Sequence, residues 1–162
     1  MELVVNASPL ILLGKVGRCE LLSRLGGSVW VPEGVVAEVE AEPDDPAANA
    51  LQRFEWLKRA AVVVPDVIKV WDLGRGESEV LAYSREHPGV RPLLDDAEGM
   101  ACALALGLKP LGTGGLLILA KKAGLLVSVQ AVLDEMREKG LWLSDDVYHT
   151  ILVAAGESLV SP

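Results

Sequence analysis

Glu77 opens a stretch in which Val80, Leu81 and Ser84 recur at spacings of three, four and seven. At about 100° per residue this places its carboxylate on the inward stripe of a helix, where a charge is costly unless it is paired or metal-bound. The same projection turns Glu79 the opposite way, toward solvent. Asp95 and Asp96 follow the apolar run ending at Leu94, and Asp96 stands above Met100, Ala103 and Gly107 on the next helix. Asn6 follows Leu3-Val4-Val5, and Glu38 flanks the apolar positions Val35 and Val39. Oxygen ligands of this kind suit a hard divalent cation. Each position also has a plainer reading. The helix dipole favours acids in a first turn, as it does for Asp145 and Asp146, Ser8 reads as an N-cap, and Glu38 alone reads as a surface glutamate. What favours chemistry is several side-chain oxygens converging on one sheet edge.

The elements that would position them alternate. Leu3 to Val5 and Val29 to Val31 read as strands buried on both faces, Val62 to Val64 as a third, Arg91 to Leu94 as a fourth and Lys109 to Thr113 as a fifth. Ser8-Pro9 predicts an N-cap with proline in the first turn of the following helix. Further helices are predicted over Arg18 to Leu25, Glu33 to Glu42, Ala47 to Ala60 and Glu77 to Glu86. Ala97 to Leu108 is apolar on nearly every side and predicts a buried helix. Helices over Leu116 to Ala123, Val129 to Lys139 and Asp145 to Ala155, the last capped by Ser144, complete the pattern. Strands alternating with helices predict a parallel sheet covered on both faces, whose ligands bind beyond the carboxyl ends of the strands. One domain is expected, with a core over 1–125 and a helical C-terminal extension over 126–162.

Composition narrows the function. The 162 residues are 51% hydrophobic and 23% charged, with a mean hydropathy of +0.34, which suits one folded domain rather than a disordered chain. A formal charge of −8 excludes a broad basic surface for nucleic acid or anionic membrane, though not a local groove. Cys19 and Cys102 sit among apolar neighbours and read as buried thiols. No run approaches the ~18 apolar residues of a membrane helix, and the N-terminus lacks a basic signal region, so a soluble cytoplasmic protein is expected. His87 and His149 are not spaced for zinc, and Gly74-Arg75-Gly76 has Glu79 where a dinucleotide fingerprint needs its third glycine. No phosphate loop occurs. The four tryptophans, 30, 56, 71 and 142, show no repeating spacing and read as packing residues.

Longer blocks carry a family likeness. Val5-Asn6-Ala7-Ser8-Pro9-Leu10-Ile11 with Gly14-Lys15-Val16-Gly17-Arg18 resembles the opening of PIN-domain proteins, especially a subfamily close to VapC-type toxins. Val31-Pro32 with Val35, Val36 and Glu38, then Gly76-Glu77 with Glu79-Val80, then Leu93-Leu94-Asp95-Asp96, match later blocks. So do Gly112-Thr113 through Gly115-Leu116-Leu117, Ala120 to Leu125, Leu143-Ser144-Asp145 and Gly156-Glu157.

The resemblance implies a three-layer α/β/α sandwich with a mainly parallel sheet, acting as a metal-dependent ribonuclease and commonly the toxin of a toxin–antitoxin pair. Its acidic site would fall on Asn6, Glu38, Glu77 and Asp95 or Asp96, with Mg²⁺ or Mn²⁺ on Asn6, Glu77, Asp95 and Asp96. Ser8 would support that shell. Lys15 and Arg18, with Lys121 and Lys122, are candidate contacts to the RNA backbone. The implied partners are RNA, a small antitoxin and a second copy of the chain. Asn6 departs from the aspartate general in the family; it offers a carbonyl oxygen but no charge, which should weaken cation binding. The alternative is a catalytically degenerate PIN domain that binds protein or RNA.

Overall fold

The computed structural model describes residues 1–157, so the end of the expected C-terminal extension lies outside the described residues. Strands β1 (Glu2–Val5), β2 (Val29–Pro32), β3 (Leu57–Ala60) and β4 (Val90–Leu93) form one sheet in the order β3-β2-β1-β4, and every neighbouring pair is parallel. Helices α1 (Ala7–Lys15) and α2 (Glu20–Gly26) connect β1 to β2, and α3 (Glu33–Glu40) and α4 (Pro46–Arg53) connect β2 to β3. Then α5 (Asp66–Lys69) and α6 (Arg75–Glu86) lead to β4. After it come α7 (Ala97–Ala105), α8 (Thr113–Lys122), α9 (Val129–Glu138) and α10 (Asp145–Ala154).

Leu3, Val4 and Val5 alternate between the two faces of β1, and all three are fully buried. Both faces are therefore covered, which defines the expected α/β/α sandwich. Helix α6 lies across β1, β2 and β4 and packs along α3, while α2 packs on β1, β2 and α8. The α3–α6 contact is close because Gly34 and Gly76 face it; a Cβ on Gly76 would stand 3.1 Å from Val35. Among the described residues no helix is long and apolar enough to cross a membrane. Cys19 and Cys102 are buried and free, and burial, helped by Asp45 and Glu20, pushes the Cys19 thiol up to about 11.

Several expectations are corrected. The third strand is Leu57–Ala60, inside the stretch expected to be helical to Ala60, and not Val62 to Val64. This is an edge strand paired only with β2, so Lys58 and Arg59 stay exposed and protect the edge. The valine run lies beyond the sheet, with Val63 82% exposed. The expected fifth strand reduces to a single parallel bridge between Leu93 and Leu111, with Pro110 and Gly112 on either side. Helix α7 ends at Ala105 and is not buried all round: Gly99, Cys102 and Ala103 are covered, but Leu104 is 66% exposed. The cap of α1 is Asn6 rather than Ser8, which is exposed within the first turn. Trp142 is 83% exposed and is not a packing residue.

The helices after α7 are locked by one carboxylate. Glu157 accepts hydrogen bonds from the backbone N–H groups of Val129 (2.5 Å) and Gln130 (2.9 Å) at the start of α9, and from Lys121 Nζ (2.9 Å) at the end of α8. Burial alone would raise its pKa, but these donors outweigh burial and hold it below the usual carboxylate value. The stabilisation is therefore complete above the unfolded-state pKa and is lost as pH falls through the lower folded value. Glu157→Ala should cost about 1–3 kcal/mol at pH 7. In urea titrations its gap from the wild type should shrink as pH falls toward 3.

Candidate functional site

Strand order places the site. From β1 the chain builds β2 and β3 to one side, then crosses back to lay β4 on the other, so β1 and β4 form the topological switch where open α/β sheets bind ligands. The Asn6 N–H donates to the Leu93 carbonyl at 3.0 Å and holds the ends of these strands side by side. Helices α1, α3, α6, α7 and α8 all start at this carboxyl rim, each offering the partial positive charge of an N-terminus.

Asn6 caps α1, its Oδ1 accepting the Ala7 N–H at 2.9 Å. Asp96 caps α7, Oδ2 accepting from the N–H groups of Glu98 and Gly99, both at 3.0 Å. Asp95 turns elsewhere: Oδ1 accepts the Thr113 N–H at 2.7 Å and Oδ2 accepts the Thr113 hydroxyl at 2.5 Å. Both Asp95 oxygens thus tie the end of β4 to the start of α8. Asp96 keeps Oδ1 clear of the helix cap.

Glu77 is the unusual group. Its Oε1 is buried with no hydrogen-bond partner. Burial first, then the nearby Asp96 carboxylate, then Glu98 and Glu38, push its carboxyl up to about 7 from an ordinary 4.5. Gly99 makes room for it, since a Cβ there would stand 2.5 Å from Glu77 Oε1 and 2.7 Å from Leu94 Cδ1. Glu38 is exposed on α3 and reaches Glu77 through its field.

The expectation for Glu79 is overturned. It is 4% exposed, and its Oε2 accepts the Gly34 N–H at 2.7 Å. Helix α3 covers that side of α6, so α6 buries two faces where the helical projection allowed one. Lys15 ends α1 and so lies roughly 13 Å along the helix from Asn6, with Arg18 beyond it. Lys121 is engaged by Glu157. Sequence reasoning passed over Gly99, Thr113 and Glu98. The signal for Gly99 was a glycine in the first turn of a helix, where only close approach of another group repays its conformational freedom.

Among the described residues, no three His, Cys, Asp or Glu side chains are drawn together into a finished cation cage. Mg²⁺ needs less, because it retains several waters and is commonly bound through one or two carboxylates plus substrate phosphates. Glu77, with an unpartnered buried oxygen, and Asp96, whose carboxylate helps to raise the Glu77 pKa, would supply such a pair. The donor set fits a hard divalent cation.

A parallel three-layer sandwich with acids at its switch point is an architecture shared by many chemistries, so the fold alone does not name the class. Comparison with known families narrows the class: a family profile described as a PIN domain matches residues 2–157, and the chain belongs to that family. The family is of nuclease type, and its members generally use divalent cations. Neither the curated proteins nor the solved structures give a match to this chain.

Because Glu77 holds its proton longer in the folded state than in the unfolded one, cation-free protein should lose stability as pH rises from about 4.5 to about 7. Thermal melts in chelator should show that decline, and Glu77→Gln should flatten it. Gly99→Ala should cost about 1–3 kcal/mol through overpacking. It should also weaken Mn²⁺ binding by calorimetry, as the new methyl displaces Glu77.

Proposed function

We propose that this protein is a metal-dependent endoribonuclease, the toxin of a VapC-type toxin–antitoxin pair acting in the cytoplasm. The observation that carries the reading is the unpartnered, buried Glu77 oxygen held beside Asp96, an arrangement that is unfavourable until a cation enters. The PIN family supports the nuclease chemistry, and the likeness of the opening block to a subfamily close to VapC-type toxins supports the toxin role.

Glu77 and Asp96 would hold Mg²⁺ or Mn²⁺, with the Asn6 carbonyl oxygen as a neutral ligand and Glu38 adding charge from α3. When bound, the cation supplies an acidified water and offsets the charge that develops on the phosphate. Asp95 is the weaker ligand of the adjacent acids, because Thr113 already occupies both its oxygens. Its part is to hold the loop between β4 and α8. Helix N-termini at the rim, α1 and α6 among them, favour a phosphate anion between the strand ends. Ser8, exposed in the first turn of α1, would support the ligand shell. All of these residues belong to the core over 1–125, and the helices beyond it brace α8. A small antitoxin covering this cleft and a second copy of the chain complete the proposed assembly.

One observation favours the second reading, a degenerate PIN domain that binds without cutting: Asn6 carries no charge, and its oxygen already caps α1. Cleavage of a fluorescent single-stranded RNA in Mn²⁺ or Mg²⁺ decides between them. The wild type should cleave, and Glu77→Gln should lower the rate at least roughly 100-fold, about 2.7 kcal/mol of barrier. Asn6→Asp should tighten cation binding and raise the rate at low Mn²⁺. Activity confined to Asn6→Asp would establish the degenerate reading, and no activity in either protein, with no cation bound, would refute the nuclease.

A further inference from the structure

The end of the sheet away from the carboxyl rim carries a different set of groups. There β1 and β4 begin side by side at Glu2 and Val90, and α6 ends at Glu86. Two cavities open at this end, of about 450 and 500 Å³, and Pro88, Gly89 and Val90 line both. The first is basic. Arg85, Arg91 and Lys109 stand in its wall, and among the described residues no carboxylate lines it. Arg91 donates from Nε to the Lys109 carbonyl at 2.8 Å and from Nη2 to the Pro110 carbonyl at 3.2 Å. Those bonds hold the Lys109 backbone against the guanidinium. Arg85 and Lys109 are exposed, and neither forms an ion pair among the described residues. A cation in the last turn of α6 answers the helix dipole, which accounts for Arg85 but not for its two neighbours. On a chain of net charge −8, this hollow is a local anion site.

The second cavity is aromatic. His87 stacks on Tyr83 with ring centres 4.0 Å apart and planes 16° from parallel, and Tyr83 meets Trp30 at 5.4 Å. His87 Nδ1 lies 2.9 Å from the Tyr83 carbonyl, which fixes the imidazole at the end of the helix. Tyr83 is buried and His87 is exposed, so the stack runs outward from the core and ends in an accessible ring. Glu2 and Glu86 line the same cavity and offer hydrogen-bond acceptors. Stacking rings and acceptors thus lie on one side of Pro88-Gly89, and cations on the other. These are the complements of an amino-bearing base and of its phosphate. We infer that the amino end of the sheet binds a nucleotide, free or as one residue of an RNA strand, with its base on His87 and its phosphate between Arg85 and Lys109. The site stands apart from the Glu77–Asp96 centre and does not depend on the ribonuclease reading.

Calorimetry with adenosine monophosphate (AMP) in chelator tests this with no cation at the carboxyl rim. The wild type should bind AMP, and should bind the uridine analogue, which has no amino group, about fivefold more weakly. His87→Ala should lose affinity about tenfold, and His87→Tyr, which restores a ring, should recover it. Joint replacement Arg85→Gln and Lys109→Gln should weaken AMP and flatten its salt dependence. Glu77→Gln should bind AMP as the wild type does; a loss there would place the ligand at the carboxyl rim and overturn the inference. A fluorescent oligoadenylate, titrated in parallel, separates the two sources. A strand that binds where AMP does not identifies the ligand as an RNA residue, and equal affinities identify it as the free nucleotide. Binding of neither, or binding indifferent to both the His87→Ala and the Arg85–Lys109 changes, would refute the site. Equal affinity for AMP and its uridine analogue would refute the assignment of the base. Nucleotide binding by a protein that never cleaves RNA in Mn²⁺ would refute the nuclease and leave this inference standing.

Discussion

The pairing of β1 with β4 is the constraint on which the rim depends. Asn6 and Asp96 are ninety positions apart in the chain, yet four register pairs from Glu2↔Val90 to Val5↔Leu93 end both strands at the same level. The hydrogen bond from Asn6 to Leu93 closes that register at the last step. A slip of one residue would turn every buried side chain of β4 to the other face and carry the acids with it. Because β1 is covered on both faces and flanked on both edges, such a slip would press fully buried valines and leucines into packing shaped for other side chains. The core thus holds the site in register.

Electrostatics at the rim pull in two directions. Helix N-termini favour negative charge, and Asp96 and Asn6 are satisfied as caps. Asp95 is satisfied by Thr113 at the start of α8. Glu77 has no such compensation, and its neighbours make ionisation harder. A folded protein keeps an uncompensated buried carboxyl oxygen only where the rest of the structure over-determines it, and such groups gather at functional sites. Gly99 and Gly34 show the same pressure from the packing side. Each is a place where the backbone gives up a side chain so that a glutamate from α6 can enter.

The two glutamates of α6 divide the work at that interface. Glu77 meets α7 and other acids, so it is held in tension, whereas Glu79 meets the backbone of α3 and is satisfied. Projection onto a helical wheel separated them correctly in direction and wrongly in environment. A wheel treats the side away from the sheet as solvent, and here α3 occupies it. A similar error affected β3 and α7. A mostly polar edge strand escapes a search for apolar runs. A helix rich in alanine reads as buried all round, although only one of its faces makes contact.

Much of the molecule was nonetheless legible. Leu3–Val5, Val29–Val31 and the run to Leu94 identified three of the strands, Ser144 marked the start of the last helix, and the alternation fixed the parallel sandwich. Asn6, Glu77, Asp95 and Asp96 were recognisable because each interrupts an apolar pattern at an element boundary. What no pattern could settle was which oxygen each would spend locally. Both adjacent aspartates read alike, and only the packing of α8 against the end of β4 engages Asp95 with Thr113 and leaves Asp96 beside Glu77. The sequence by itself determined which residues end strands and open helices, because those are short-range matters of periodicity and capping. The tertiary structure alone decided which carboxylate is satisfied and which is strained, because that depends on neighbours supplied from distant parts of the chain.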